Sequence, residues 1–144
     1  MVVDTSALLA VLFGEPSGPW CAERMADARQ DLLMSTVNLA ETLLLVGDRR
    51  PQARRLILEE LFAGPIRFVA PDSEQALAAA EARLRFPLNL GDGFAYALAR
   101  AAGQPILTLD RDFLATRHAV LMPPGPPSPP QGPGSRRRGR RASR

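Results

Sequence analysis

The sequence predicts an α/β sandwich built on a parallel sheet. Short apolar runs alternate with longer amphipathic stretches: Val2-Val3, Leu32-Leu33-Met34 and residues 66–69 and 106–109 are the runs. Buried parallel strands read as such runs, with helices between them. Helix-stopping residues fall where the amphipathic stretches end, at Gly14, Gly64-Pro65 and Gly103. The chain of 144 residues suits one domain, large enough to bury a core without disulfides or a structural metal.

The elements follow in order. Val2-Val3 is a very short strand ending at Asp4. Thr5 or Ser6 is placed to cap a helix over residues 7–13, closed by Gly14 and Pro16. A second helix covers about residues 19–29, with Pro19 suited to its first turn. Leu32-Leu33-Met34 is a buried strand, after which Ser35 or Thr36 caps a helix over residues 37–48. Pro51 opens a helix to about residue 62, and residues 66–69 form a strand. Asp72 with Gln75 has capping-box spacing and starts a helix to about residue 85. Residues 87–90 form a loop, and Gly91 leads into a helix to about residue 102. A strand over residues 106–109 ends at Asp110, and residues 119–122 form a last short strand.

Composition narrows the function. A single cysteine, Cys21, excludes an internal disulfide. The longest apolar run, residues 7–13, is far short of the ~20 residues of a membrane helix, and no basic leader precedes Asp4. The expected compartment is therefore the cytoplasm, with no membrane partner. The net charge of +3 is unevenly divided. Residues 123–144 hold six arginines, seven prolines, four glycines and no acid, while residues 1–122 carry twelve arginines and all fifteen acids, a balance of −3. A Pro/Gly/Arg-rich segment almost without apolar residues builds no core, so residues 1–122 are expected to fold and 123–144 to form a disordered tail.

Four acids are placed where chemistry gathers. Asp4 and Asp110 each end a strand, and in parallel sheets ligands collect beyond the carboxyl ends of strands. Glu41 lies inside an apolar helix on a stripe with Val37, Leu44 and Leu45, where an unpaired charge costs several kcal/mol. Asp92 stands in the first turn of its helix between Gly91 and Gly93, which let that helix end approach a crevice closely. Each has a structural role open to it: capping for Asp4, Asp92 and Asp110, an arginine ion pair for Glu41. Brought together, four carboxylates at ~4–6 Å repel by a few kcal/mol per pair and call for protons or cations. Oxygen ligands suit Mg²⁺ or Mn²⁺. Zinc is disfavoured, since the only Cys and the only His, His118, have no ligand pairs around them. No phosphate-binding glycine loop is present.

Four segments resemble, in order, the acid-bearing segments of PIN-domain nucleases. They are Met1-Val2-Val3-Asp4-Thr5-Ser6-Ala7-Leu8, Ser35-Thr36-Val37-Asn38-Leu39-Ala40-Glu41, Leu90-Gly91-Asp92-Gly93-Phe94-Ala95 and Leu107-Thr108-Leu109-Asp110-Arg111-Asp112-Phe113. Within that family the sequence is similar to the VapC toxins of bacterial toxin–antitoxin pairs. The resemblance implies a three-layer α/β/α fold and Mg²⁺- or Mn²⁺-dependent cleavage of RNA. It also implies a homodimer and inhibition by a cognate VapB-type antitoxin. It puts Asp4, Glu41, Asp92 and Asp110 on the metal, with Ser6 and Asp112 in support. Gly93 departs from the pattern by replacing a bulkier residue, at up to ~1 kcal/mol of helix propensity. Two rivals remain at this point. One is a PIN-fold binding module without turnover. The other is an Asp4-nucleophile phosphatase, disfavoured by Ser6 two positions on and by the absence of lysine.

Overall fold

The computed structural model describes residues 1–125. The disorder expected of the tail therefore lies almost wholly outside the described residues. Five strands form one sheet in the order β3-β2-β1-β4-β5: β1 Val2–Val3, β2 Leu32–Ser35, β3 Ile66–Val69, β4 Ile106–Leu107 and β5 Val120–Leu121. Every pairing is parallel. The six α-helices are α1 Thr5–Phe13, α2 Gly18–Ala26, α3 Thr36–Arg49, α4 Arg54–Ala63, α5 Ser73–Arg85 and α6 Leu90–Ala102.

Alternation along the strands decides the layers. Val3, Leu32, Met34 and Leu107 face one way, into a core completed by Leu8, Cys21, Leu39, Val46, Ile57 and Leu61 of α1 to α4. Val2, Leu33 and Ile106 face the other way, against Ala82 of α5, Ala95, Leu98 and Ala99 of α6, and Phe113. The three central strands β1, β2 and β4 thus bury both faces, while the edge strands β3 and β5 are partly buried, and the result is the three-layer α/β/α sandwich. Among the described residues no helix is long and apolar enough to cross a membrane.

Several element ends differ from expectation, each with a local cause. Asp4 itself caps α1, its carboxylate accepting from Ser6 N at 3.3 Å, so the helix begins at Thr5. α2 stops at Ala26, where the amide of Asp27 closes back on Glu23 O. Pro51–Ala53 form a 3₁₀ turn ahead of α4. At α5 Asp72 accepts from Gln75 N at 2.8 Å, but Gln75 makes no return bond. α6 starts at Leu90, capped by Asn89. β4 has two residues instead of four. Leu109 N is held by Ser6 Oγ at 2.9 Å and Asp110 N by Thr108 Oγ1 at 3.0 Å, so side chains take over from the ladder.

Gly93 is explained by packing. A β-carbon there would stand 3.0 Å from Ala79 O and 3.4 Å from Ala79 Cβ, so the missing side chain lets α5 and α6 approach closely. The cost in helix propensity is offset by that contact.

Candidate active site

The chain winds outward from β1 to β2 and β3, then crosses back to β4 and β5. The direction of winding reverses between β1 and β4, and at their carboxyl ends such a reversal leaves a crevice. All four singled-out acids reach it. Asp4 comes from the end of β1, Glu41 from α3, Asp92 from the first turn of α6, and Asp110 from just past β4. They line one cleft of about 180 Å³ together with Thr5, Ser6 and Asn89.

Asp4 is the deepest, 1% exposed. Its Oδ2 accepts from Ser6 Oγ at 2.7 Å, Thr108 Oγ1 at 2.9 Å and Ser6 N at 3.3 Å. Its Oδ1 is buried with no protein donor among the described residues. Burial pushes the Asp4 carboxyl above the ordinary carboxylate range, and the Ser6 and Thr108 hydrogen bonds oppose that shift. Ser6 donates to Asp4 and accepts from Leu109 N.

Glu41 departs from the expected setting. The inward face of α3 consists of Asn38, Leu39, Thr42 and Val46, whereas Leu44 is 71% exposed and Glu41 is only half-buried. Polar residues occupy that face with most of their groups partnered, Asn38 Oδ1 alone among them having none among the described residues. Thr42 Oγ1 donates to Asn38 O at 2.8 Å, and Asn38 Nδ2 reaches Thr5 Oγ1 at 3.2 Å and Gly91 O at 3.1 Å. Among the described residues no arginine pairs with Glu41; Thr5 Oγ1 donates to its Oε2 at 2.7 Å. A β-carbon on Gly91 would sit 2.5 Å from that same oxygen. The bare backbone of Gly91 is what lets Glu41 lie against α6.

Asp92 is both a cap and a member of the cluster. Asn89 Oδ1 accepts from Asp92 N, and Asp92 Oδ2 accepts from Asn89 N, both at 2.9 Å. Burial pushes its carboxyl up to about 7, with the Asn89 amide opposing and the charges of Asp4, Asp110 and Glu41 adding to the rise. The Asp110 carboxylate accepts from Asp112 N at 2.8 Å. Asp112 contributes that amide, while its side chain is exposed and makes no hydrogen bond or ion pair among the described residues.

Thr5, Asn38 and Thr108 belong to this site and were not singled out from the sequence. The signal available was polarity in apolar surroundings: Thr108 between two leucines, Asn38 on the buried side of an apolar helix. Among the described residues no three His, Cys, Asp or Glu side chains already form a metal-holding group. Asp4 Oδ2, Glu41 Oε2 and Asp92 Oδ2 are each engaged by a protein donor. The lone Cys21 is buried in the core beneath α1 to α4, and His118 Nε2 lies 2.8 Å from Gln104 O.

Comparison with known proteins agrees with this fold. The PIN domain family model matches residues 1–119. The chain is 38% identical over 130 residues to Ribonuclease VapC of Mycolicibacterium smegmatis, covering 84% of this chain and 99% of that protein. It is 40% identical over 136 residues to Ribonuclease VapC30 of Mycobacterium tuberculosis, covering 86% and 100%. Its fold is similar to that of Mycobacterium tuberculosis VapC20, a sarcin–ricin loop cleaving toxin, with a TM-score of 0.73, 20% identity, and coverage of 85% and 98%. It is also similar to a chain of DNA-bound VapBC from Salmonella typhimurium, with a TM-score of 0.67, 18% identity, and coverage of 84% and 96%.

Proposed function

The chain belongs to the PIN domain family, and we propose that it is a divalent-metal-dependent endoribonuclease acting as the toxin of a toxin–antitoxin pair. The observation that carries the chemistry is the convergence of Asp4, Glu41, Asp92 and Asp110 on one cleft, with Asp92 raised to about 7 by burial and by the other three. The ribonuclease activity named for the VapC relatives supports RNA as the substrate.

The donor set fits a hard divalent cation. The four acids offer carboxylate oxygens, the buried Asp4 Oδ1 has no donor among the described residues, and the charges of Asp4, Asp110 and Glu41 bear on Asp92. Asp4, Glu41, Asp92 and Asp110 would hold Mg²⁺ or Mn²⁺. A cation bound there supplies charge neutralisation at the attacked phosphate and activation of water as nucleophile. The protein's own contribution is positional. Ser6 and Thr108 fix the Asp4 carboxylate by occupying one oxygen and leaving the other free. Thr5 orients Glu41, and the Asn38 amide ties α3 to α1 and α6. The Asn89 amide holds Asp92 at the mouth of its helix. With acids lining the cleft, base recognition falls to the surfaces around it.

A VapB-type antitoxin is the proposed inhibitor, in keeping with toxin–antitoxin complexes among the structural neighbours. A homodimer and a cytoplasmic location complete the reading. The test is cleavage of a mixed RNA by the purified chain with Mn²⁺, with EDTA, and with Asp92→Asn. Fragments appear only for wild type with metal, and the variant loses at least ~100-fold in rate. Intact RNA under every condition would refute the nuclease and leave a binding module.

A further inference from the structure

A second groove opens beside the acid cleft. It measures about 430 Å³ and shares Ser6, Leu9 and Asp110 with the cleft. Its distinguishing residues are Arg49 and Arg111, the only cations that line either cavity among the described residues. Arg111 follows Asp110 directly, is exposed, and makes no ion pair among the described residues. Arg49 sits at the end of α3, with its guanidinium 5.0 Å from the centroid of Phe13 and 3.5 Å from Glu15. Its neighbour Arg50 also lies over the Phe13 ring, at 5.2 Å, but its two terminal nitrogens donate to Leu12 O and Phe13 O at 3.3 Å, closing the end of α1.

We propose that this groove carries the RNA backbone next to the phosphate being cut, with Arg49 and Arg111 as its phosphate contacts. This rests on the nuclease reading. A polyanion entering a cleft of four carboxylates needs cations at the threshold, and these two arginines flank it on the Asp110 side. Arg49 is held in place by the Phe13 ring, which leaves donors of its planar fork for a phosphate oxygen. Glu15 is the counterweight. Its pair with Arg49 is half-exposed and therefore weak, so a phosphate displaces or shares it readily.

The test is binding of an end-labelled oligouridylate to the full chain in EDTA, followed across a salt series. Arg49→Gln and Arg111→Gln each weaken binding by roughly five- to tenfold at low salt and flatten the log–log salt slope by about 0.7, while the lysine variants keep the slope. Arg85→Gln, an exposed cation on α5 outside the groove, changes neither. Glu15→Gln tightens binding severalfold, whereas a purely structural Glu15–Arg49 pair would lower the melting temperature and leave the slope alone. Wild-type binding with slopes unchanged in Arg49→Gln and Arg111→Gln would overturn the groove assignment while metal-dependent cleavage still stood. Loss of an acidic protein partner with RNA binding intact would overturn it as well. A wild-type chain that neither binds nor cuts RNA would bring down both this assignment and the nuclease reading.

Discussion

At Asp92, burial and like charge act in the same direction, and the consequence is a pH dependence opposite to that of most paired acids. The folded chain holds a proton on Asp92 up to about pH 7, while the unfolded chain releases it near the ordinary value of 3.8. Between those values the folded state binds more protons, so stability falls as pH rises. Asp4, raised by burial, adds in the same sense. In EDTA the wild-type chain is therefore expected to melt at a lower temperature at pH 8 than at pH 5, after allowance for the remaining groups. Asp92→Asn should flatten that slope. Parallel pH profiles for the two proteins would show that Asp92 carries no such burden. The acids themselves were legible because a charge at a strand end or inside an apolar helix is anomalous on its face. Thr108 was not, because its partner Asp4 lies 104 positions away and threonine is ordinary in a strand.

At the scale of elements, α3 shows how periodicity can mislead. Counting apolar residues put Glu41 on a buried stripe with Leu44, but the helix turns Asn38 and Thr42 inward because both find partners. The start of α6 carries two glycines with different duties, and substitution separates them. A methyl on Gly91 meets the end of the Glu41 side chain, which can swing away. Gly91→Ala should therefore fold, with its melting temperature within a few degrees of wild type, and lose at least ~10-fold in cleavage as Glu41 is displaced. A methyl on Gly93 meets the backbone of α5, which cannot swing. Overpacking of about 1–3 kcal/mol then outweighs the ~1 kcal/mol of helix propensity regained, so Gly93→Ala should be less stable with less effect on cleavage. Thermal melts and initial rates on both variants decide it. Full activity in Gly91→Ala would mean that the position of Glu41 against α6 is immaterial.

For the whole molecule, alternating apolar strands and amphipathic helices were enough to read the layers, because each two-residue strand is apolar on both sides. The strand order was not legible: β1 and β4 pair although Val2 and Ile106 lie about a hundred positions apart, with the crossover running from β3 to β4, which no local pattern records. That reversal of winding leaves the crevice, and the proposed cation would relieve the like charge gathered there. Thermal unfolding of the full chain near neutral pH, with EDTA and with millimolar Mg²⁺ or Mn²⁺, for wild type and for Asp4→Asn, tests this most directly. Binding at a hundredfold excess over Kd adds about 2.7 kcal/mol, so wild type should melt several degrees higher with metal. Asp4→Asn, which keeps an acceptor for Ser6 and Thr108 and removes one charge, should match or exceed wild type in EDTA and gain nothing from the cation. No metal-induced rise in wild type, or an equal rise in both proteins, would contradict the four-carboxylate cation site.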